Sequence, residues 1–467
     1  MKLRQLKRLE LAKMIRGFCV AQNPLYYLDF YNFNSKSMKT ILSKCLKIIF
    51  CAFLFTSFNT TSMAQGHKRI SKKKAIDDFL FVWNQIKSQY AYFDIKQVDW
   101  EQVKIKYIKE LQKVHLKRDV LKILERLTYE LYDDHINLNA NLPESYRIVP
   151  SGLLIWAEWI EDEVIISEIK RPFPIDNILL KEGMKILAIN GKDVKEATDI
   201  FWGDSLLNHI PEARNWAIRK MIAGKFNEPV RLSLTDRGEI IDILINYDFK
   251  KHKDEQLAIK QILEDSIGYI RINNSLGEYK LIGIFDSLLN SLKHTKGLII
   301  DLRDTPSGGN TTVAKGILGR FVDNEYTYQK YLYPNDLSQY KIKTGSFDIV
   351  FPRGEFKYDK PLVILTGHWT GSMGEGLAIG FDAIKGGVVI GTKSSGLLGS
   401  VDDFTIPNLK INISFPTQKT FHVNGTPRES FIPSSEVDLI KLGTTSKDDI
   451  ILIEAIRIVN LKISNKL

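Results

Sequence analysis

Between residues 258 and 462, buried-type strands alternate with amphipathic helices, and that alternation leaves few folds open. Tyr269–Ile272 and Leu298–Leu302 read as strands separated by a helical stretch, Leu281–Leu292. Val313–Phe321 is helical. Leu362–Leu365 is another continuous apolar strand, followed by a helix from Met373 to about Ile384, a strand at Val388–Ile390 and a closing helix at Ile450–Val459. Short apolar runs of this kind are buried on both faces. Their alternation with helices argues for a mostly parallel sheet covered by helices. Val401–Phe415 is less regular.

The 467 residues exceed one compact core and predict two or three domains. Three apolar stripes at helical spacing precede the α/β part. Ile76, Phe79, Leu80, Trp83, Ile86 and Tyr90 form the first. Trp100, Val103, Tyr107 and Leu111 form the second, with Asp99 as N-cap, and Val120, Leu121, Leu124, Leu127 and Leu131 form the third. They predict a small helical bundle ending at Asp133-Asp134-His135, before a strand through Ile136, Leu138 and Ala140. The next hundred residues are β-rich. Leu153–Trp159 pairs with Val164–Ile169, Met184–Ile189 ends in the tight-turn pair Asn190-Gly191, and Asp236-Arg237-Gly238 closes a hairpin. A helix at Ala213–Ile222 lies between them.

The net charge of +10 is concentrated at one end. Residues 1–64 carry a net +8, while the rest holds 55 basic against 53 acidic residues. A nearly neutral body with no basic run has no footprint for phosphate, so nucleic acid is set aside as a partner. All three cysteines (Cys19, Cys45 and Cys51) lie in the same stretch, which removes a cysteine nucleophile or thiolate metal site from the body. Residues 38–64 read as a secretory leader: Lys39, Lys44 and Lys47, an apolar run Ile48–Phe58, then Ser62-Met63-Ala64 for cleavage. The run is about half of the roughly 20 residues a spanning helix needs, so no stable membrane span is expected. An uncleaved leader would still leave the chain membrane-associated. Residues 1–37 lack leader logic, and the reading starts translation at Met38.

The chemistry concentrates after the buried strands. Leu362–Leu365 runs into Thr366-Gly367-His368-Trp369-Thr370-Gly371-Ser372-Met373-Gly374-Glu375-Gly376. A serine at the start of a helix sits where backbone amides stabilise developing negative charge. Ser372 with Glu375 also reads as a capping box, and the residues alone leave both readings open. Thr370 breaks the G-x-S-x-G elbow, which disfavours an ordinary α/β-hydrolase. The turn Asp301–Asn310 carries Gly308-Gly309, which can present amides to an oxyanion or serve only as a tight turn. His135 by itself reads as a surface or capping residue, and Glu429 as a solvated loop acid. The eight histidines are scattered without a metal-ligand spacing, so neither metal nor cofactor is expected.

In this order the segments resemble the serine peptidases of tricorn-core and C-terminal-processing (tail-specific) type, a family that also includes retinoid-binding relatives. The matching stretches are Leu131-Tyr132-Asp133-Asp134-His135, Leu298–Arg303 with Gly308-Gly309, the serine segment, and Asn424-Gly425 through Glu429. The resemblance implies an α/β multidomain protein. Its parts would be a leader over 1–64, an N-terminal helical domain over 65–148, a PDZ-like β-rich domain over 149–250 and a crotonase/ClpP-like βαβα catalytic domain over 258–467. It implies Ser372 as nucleophile, His135 as general base, and Glu429 orienting or supporting the site; Ser372 and His135 are expected within hydrogen-bond reach, or a little looser in an apo state. Gly308 or Gly309, with the Met373 amide, would form the oxyanion hole. The PDZ-like match is best at Glu182–Lys192. A second branch of the family uses a Ser-Lys dyad. Lys385 and Lys393 are the candidates, but Leu397 occupies the expected place, which favours the His-Ser-Glu branch. Thr305 stands where Asn is usual, and the turn is one residue longer before Gly308-Gly309.

The implied activity is cleavage of unfolded or C-terminally exposed polypeptides by an exported endopeptidase, in the periplasm or outside the cell. Two other readings stand beside it: a catalytically idle peptide or hydrophobic-ligand binder, and an esterase-like acyl hydrolase. The sequence leaves the natural substrate and the oligomeric state open.

Overall fold

The computed structural model describes residues 68–171, 180–201, 210–246, 256–264, 266–334, 342–384, 387–445 and 447–464. The leader, the start at Met38 and Lys385 lie outside the described residues.

Three helices open the described chain: α1 (Lys72–Gln89), α2 (Trp100–Leu111) and α3 (Lys117–Tyr129). Asp99 caps α2 as expected, its Oδ1 accepting the Glu101 and Gln102 N–H groups. The three apolar stripes meet in one core, which also takes Ile406, Leu409, Ile413 and Phe415 from the C-terminal half. Buried Asp78 of α1 fastens this joint by accepting the Asn408 and Leu409 N–H groups at 2.8 and 2.9 Å. The expected strand after His135 is short, β1 (Asn137–Leu138).

The middle part is an antiparallel sheet of β2 (Ile155–Ile160), β3 (Glu163–Ile169), β4 (Lys185–Ile189), β5 (Lys192–Asp193), β6 (Val230–Asp236) and β7 (Glu239–Ile245). A short helix α4 (Val194–Thr198) and the longer α5 (Pro211–Ala223) accompany it. Both predicted hairpin turns form, with Asn190 and Gly191 at φ 52° and 80° and Arg237 and Gly238 at 50° and 94°.

The α/β part comprises β8 (Ala258–Leu263), β9 (Ile267–Ile272), α6 (Lys280–Ser291), β10 (Gly297–Asp301), α7 (Thr311–Leu318), β11 (Tyr326–Leu332), β12 (Gly345–Val350), β13 (Leu362–Thr366) and α8 (Met373–Ala383). It continues through β14 (Gly387–Gly391), β15 (Ser400–Thr405), β16 (Asn412–His422), β17 (Ser435–Glu436), α9 (Leu439–Leu442) and α10 (Ile450–Ser464). The predicted parallel sheet has the order β17-β14-β13-β10-β9-β8, with β8 alone antiparallel to its neighbour. Its central strands are wholly buried because both faces are covered. Leu298, Ile300 and Ile364 pack under α6, α7 and α8, while Ile299, Val363 and Leu365 pack under α10.

A second sheet, β1-β16-β11-β12 with β15 paired to β16, replaces the irregular stretch expected over Val401–Phe415. Its β1–β16 pairing, Asn137 opposite Ser414, brings the segment just after His135 to the C-terminal half.

The middle sheet grips the serine segment from behind. Glu168 of β3 meets His368 Nδ1 at 2.5 Å and accepts the His368 N–H at 3.1 Å and the Thr392 hydroxyl. Trp156 stacks on the His368 ring at 4.5 Å, and Trp369 Nε1 donates to Leu153 O at 2.7 Å. Burial pushes the Glu168 carboxyl up, but its bonds to His368 and Thr392 outweigh that and hold it below the usual carboxylate range. This contribution to stability is therefore present above the ordinary carboxylate value and lost as pH falls. Glu168→Ala is expected to cost about 3 kcal/mol at neutral pH. Urea denaturation followed by tryptophan fluorescence should show the gap to the parent narrowing below about pH 4.5.

Candidate active site

β10 and β13 are parallel neighbours, so the turns leaving their carboxyl ends emerge side by side. The turns are then zipped together. Thr305 N–H donates to Trp369 O at 3.1 Å, and Gly371 N–H donates to Thr305 O at 3.2 Å. The Thr305 and Thr370 hydroxyls both donate to Leu302 O, at 2.8 and 3.1 Å. Thr305 is fully buried in this seam, which gives the unexpected threonine a structural role. Asn274 braces the outer side, accepting the Ser307 N–H at 2.8 Å and donating to Ser307 Oγ at 2.9 Å.

Ser372 stands at the N-cap of α8 with φ 49° and ψ −108°. A non-glycine residue held there stores on the order of 1–3 kcal/mol of backbone strain. The Ser-x-x-Glu pair is in place, with Glu375 Oε2 accepting the Ser372 N–H at 2.8 Å. The cap and the exposed helix N-terminus are thus features of one residue, and the two readings of Ser372 do not exclude each other.

The two glycines of the neighbouring turn part company. A Cβ at Gly308 would lie 3.0 Å from Ser372 Oγ and 3.0 Å from the Met373 nitrogen, whereas one at Gly309 would strike the Leu276 backbone at 2.1 Å. Gly308 therefore borders the space between the serine hydroxyl and the first free amide of α8. Its own N–H donates to Thr305 O at 3.1 Å, which commits that amide to the turn.

His135 is half-buried against the loop 394–399. Its Nδ1 lies 2.6 Å from Leu398 O. A carbonyl can only accept, so Nδ1 carries the proton and Nε2 keeps its lone pair. Burial, then the nearby Arg428 cation, lowers the imidazole to about 4, with the Leu398 carbonyl opposing. Asp133 accepts the His135 N–H at 2.8 Å and the Tyr90 hydroxyl at 2.8 Å.

No hydrogen bond joins Ser372 to His135 among the described residues. Nor is a hydrogen bond from Glu429 to the imidazole present among the described residues, where the Leu398 carbonyl of the loop 394–399 meets Nδ1. The Glu429 carboxyl stands beside the Tyr92 hydroxyl. Burial pushes Glu429 up, with Arg428 and Tyr92 opposing. Lys393 is exposed, and Leu397, which has no amine, is buried.

The carboxylate nearest the serine is Glu375, recognised in the sequence only as a cap. It is buried and also accepts the Ser394 hydroxyl at 2.8 Å and the Gly396 N–H at 2.9 Å. Burial pushes it up to about 7, against Arg428 and these donors. Among the described residues, no group of His, Cys, Asp and Glu is arranged to hold a metal ion.

A serine at a helix N-terminus, bordered by a glycine turn on an adjacent parallel strand, is the layout of a serine-type peptidase. Residues 266–432 match peptidase family S41, and residues 72–128 match the tricorn protease C1 domain. These matched stretches are similar to the tricorn-core and C-terminal-processing serine peptidases. It is 24% identical over 293 residues to the carboxy-terminal processing protease CtpA of Bacillus subtilis (strain 168). That match covers 61% of this chain and 56% of CtpA, so the chain spans little more than half the length of this curated relative. The fold is similar to that of mature CPAF complexed with lactacystin, with TM-score 0.57, 14% identity, and coverage of 84% of this chain and 99% of that one. It is also similar to the photosystem II D1 C-terminal processing protease, with TM-score 0.50, 14% identity, and coverage of 79% and 94%.

Proposed function

We propose that the protein is an exported endopeptidase that cleaves unfolded or C-terminally exposed polypeptides with Ser372 as nucleophile. The observation that carries this is the space shared by Ser372 Oγ, the Met373 amide and Gly308 at the start of α8. A scissile carbonyl seated there would meet the hydroxyl and an amide donor together. His135 Nε2 takes the serine proton and returns it to the leaving amine. Glu429, beside Tyr92, supports the site. The middle sheet acts as a PDZ-like module that recruits extended peptide by strand addition, on a crotonase/ClpP-like catalytic part. The leader at 38–64 directs export, to the periplasm or outside the cell. The domain limits are those given by the sequence.

The missing Ser372–His135 bond favours a second reading, a peptide binder without turnover. Incubating the full chain with denatured casein separates the two. New peptides that disappear in His135→Asn support the peptidase, while binding without cleavage supports the carrier. Because His135 must be neutral to act as base, the acid limb of kcat/KM should fall near pH 4 rather than at the ordinary histidine value of 6.5. A half-point at 6.5 would contradict the environment described for His135.

A further inference from the structure

Arg428 is 2% exposed, among the largest fully buried side chains of the protein. Its sequence context, a Gly-Thr-Pro turn after a strand, predicts exposure. A buried guanidinium persists only where acceptors answer it. Here Nη2 donates to Leu397 O at 3.1 Å and to Gly399 O at 2.5 Å, and stands 3.9 Å from Glu375 Oε2. The two carbonyls flank Leu398, whose own carbonyl turns the other way and meets His135 Nδ1. Glu375 meanwhile holds the Ser372 N–H with one oxygen, and Ser394 and the Gly396 N–H with the other. The loop from Ser394 to Gly399 is thus gripped at one end by a carboxylate that also holds the nucleophile's backbone. At its other end it is gripped by a cation that aims the carbonyl fixing the imidazole.

We propose that Arg428 and Glu375 are positioning residues, a buried brace that sets His135 relative to Ser372 through the loop 394–399. The inference rests on the reading of Ser372 and His135 as nucleophile and base. It accounts for two groups touching neither a substrate nor each other's reacting atoms: Arg428 acts through Leu398, and Glu375 acts through the Ser372 backbone. Without Arg428, the Leu397 and Gly399 carbonyls lose their buried donor and the Leu398 carbonyl is no longer held toward His135. A displacement near 1 Å at a reacting group costs about 10²-fold in rate.

The test uses the full chain, Arg428→Met, Arg428→Lys and Glu375→Gln. Each is assayed for fluorophosphonate labelling from pH 4 to 8 and for kcat and KM on denatured casein, with thermal unfolding as the fold check. In Arg428→Met, kcat should fall about 10²-fold with KM little changed. The acid limb of labelling should also move up toward the ordinary histidine value, since the cation that helps hold His135 low is gone. Asp133, which accepts the His135 N–H and the Tyr90 hydroxyl, is the same in parent and variant, so its effect on His135 is common to both titrations. Arg428→Lys, which keeps the charge and can reach both carbonyls, should recover part of kcat and restore the limb. A folded Arg428→Met with the parent's kcat and acid limb overturns the proposal. If Arg428→Met does not fold, Glu375→Gln decides: a loss of about tenfold in kcat at constant KM supports the brace, and parent kcat overturns it. A parent chain that neither labels nor cleaves removes the catalytic reading itself, and the brace with it.

Discussion

Ser372→Ala is expected to reduce turnover on denatured polypeptide by about a million-fold and to abolish fluorophosphonate labelling. The size follows from the site's dependence on one oxygen. A hydroxyl is a poor nucleophile until a base takes its proton, and the acyl intermediate cannot form without it. The fold should hardly notice. Alanine removes a half-buried hydroxyl at a helix N-cap, a loss of about 1 kcal/mol, and Glu375 still accepts the backbone N–H at position 372. Thermal unfolding within a few degrees of the parent, together with lost labelling, separates catalysis from structure.

Gly308→Ala should be the next most damaging small change. The new methyl would sit 3.0 Å from both Ser372 Oγ and the Met373 nitrogen, in the space a tetrahedral oxyanion would occupy, and 2.5 Å from Ser372 Cβ. Position 308 also has φ +65°, where an L side chain costs about 1–2 kcal/mol. Disturbing oxyanion stabilisation costs roughly 10²–10³-fold in kcat, and at least that is expected here. Unfolding should show only the modest local strain. A Gly308→Ala protein labelled at the parent rate would mean that the oxyanion forms elsewhere.

The parts of this account that were legible in sequence rest on local chemistry. Apolar stripes gave α1 to α3, and Asp99 announced its cap. Asn190-Gly191 and Arg237-Gly238 announced their turns, and continuous apolar runs gave β10 and β13. Ser372 and Gly308 could be found because each follows a buried strand, where a turn must form. The second sheet could not be read this way. Its strands are partly solvated, and pairings such as β1 with β16 join residues far apart in the chain, so neither periodicity nor turn residues announce them. The brace was hidden for the same reason. Glu375 showed only its i to i+3 capping relation to Ser372, and Arg428 sits in a turn that reads as exposed. The group that orients His135 is the carbonyl of Leu398, and a backbone oxygen leaves no mark in residue type.

The central claim is that Ser372 is an activated nucleophile and not merely a helix cap. The direct measurement is reaction of the full chain with a fluorophosphonate at neutral pH, followed by mass-spectrometric mapping of the modified peptide. The account predicts one adduct, on Ser372, whose rate of formation collapses in His135→Asn. A folded chain that forms no adduct, or forms one elsewhere while Ser372 stays unmodified, would contradict it and leave Ser372 a cap on α8.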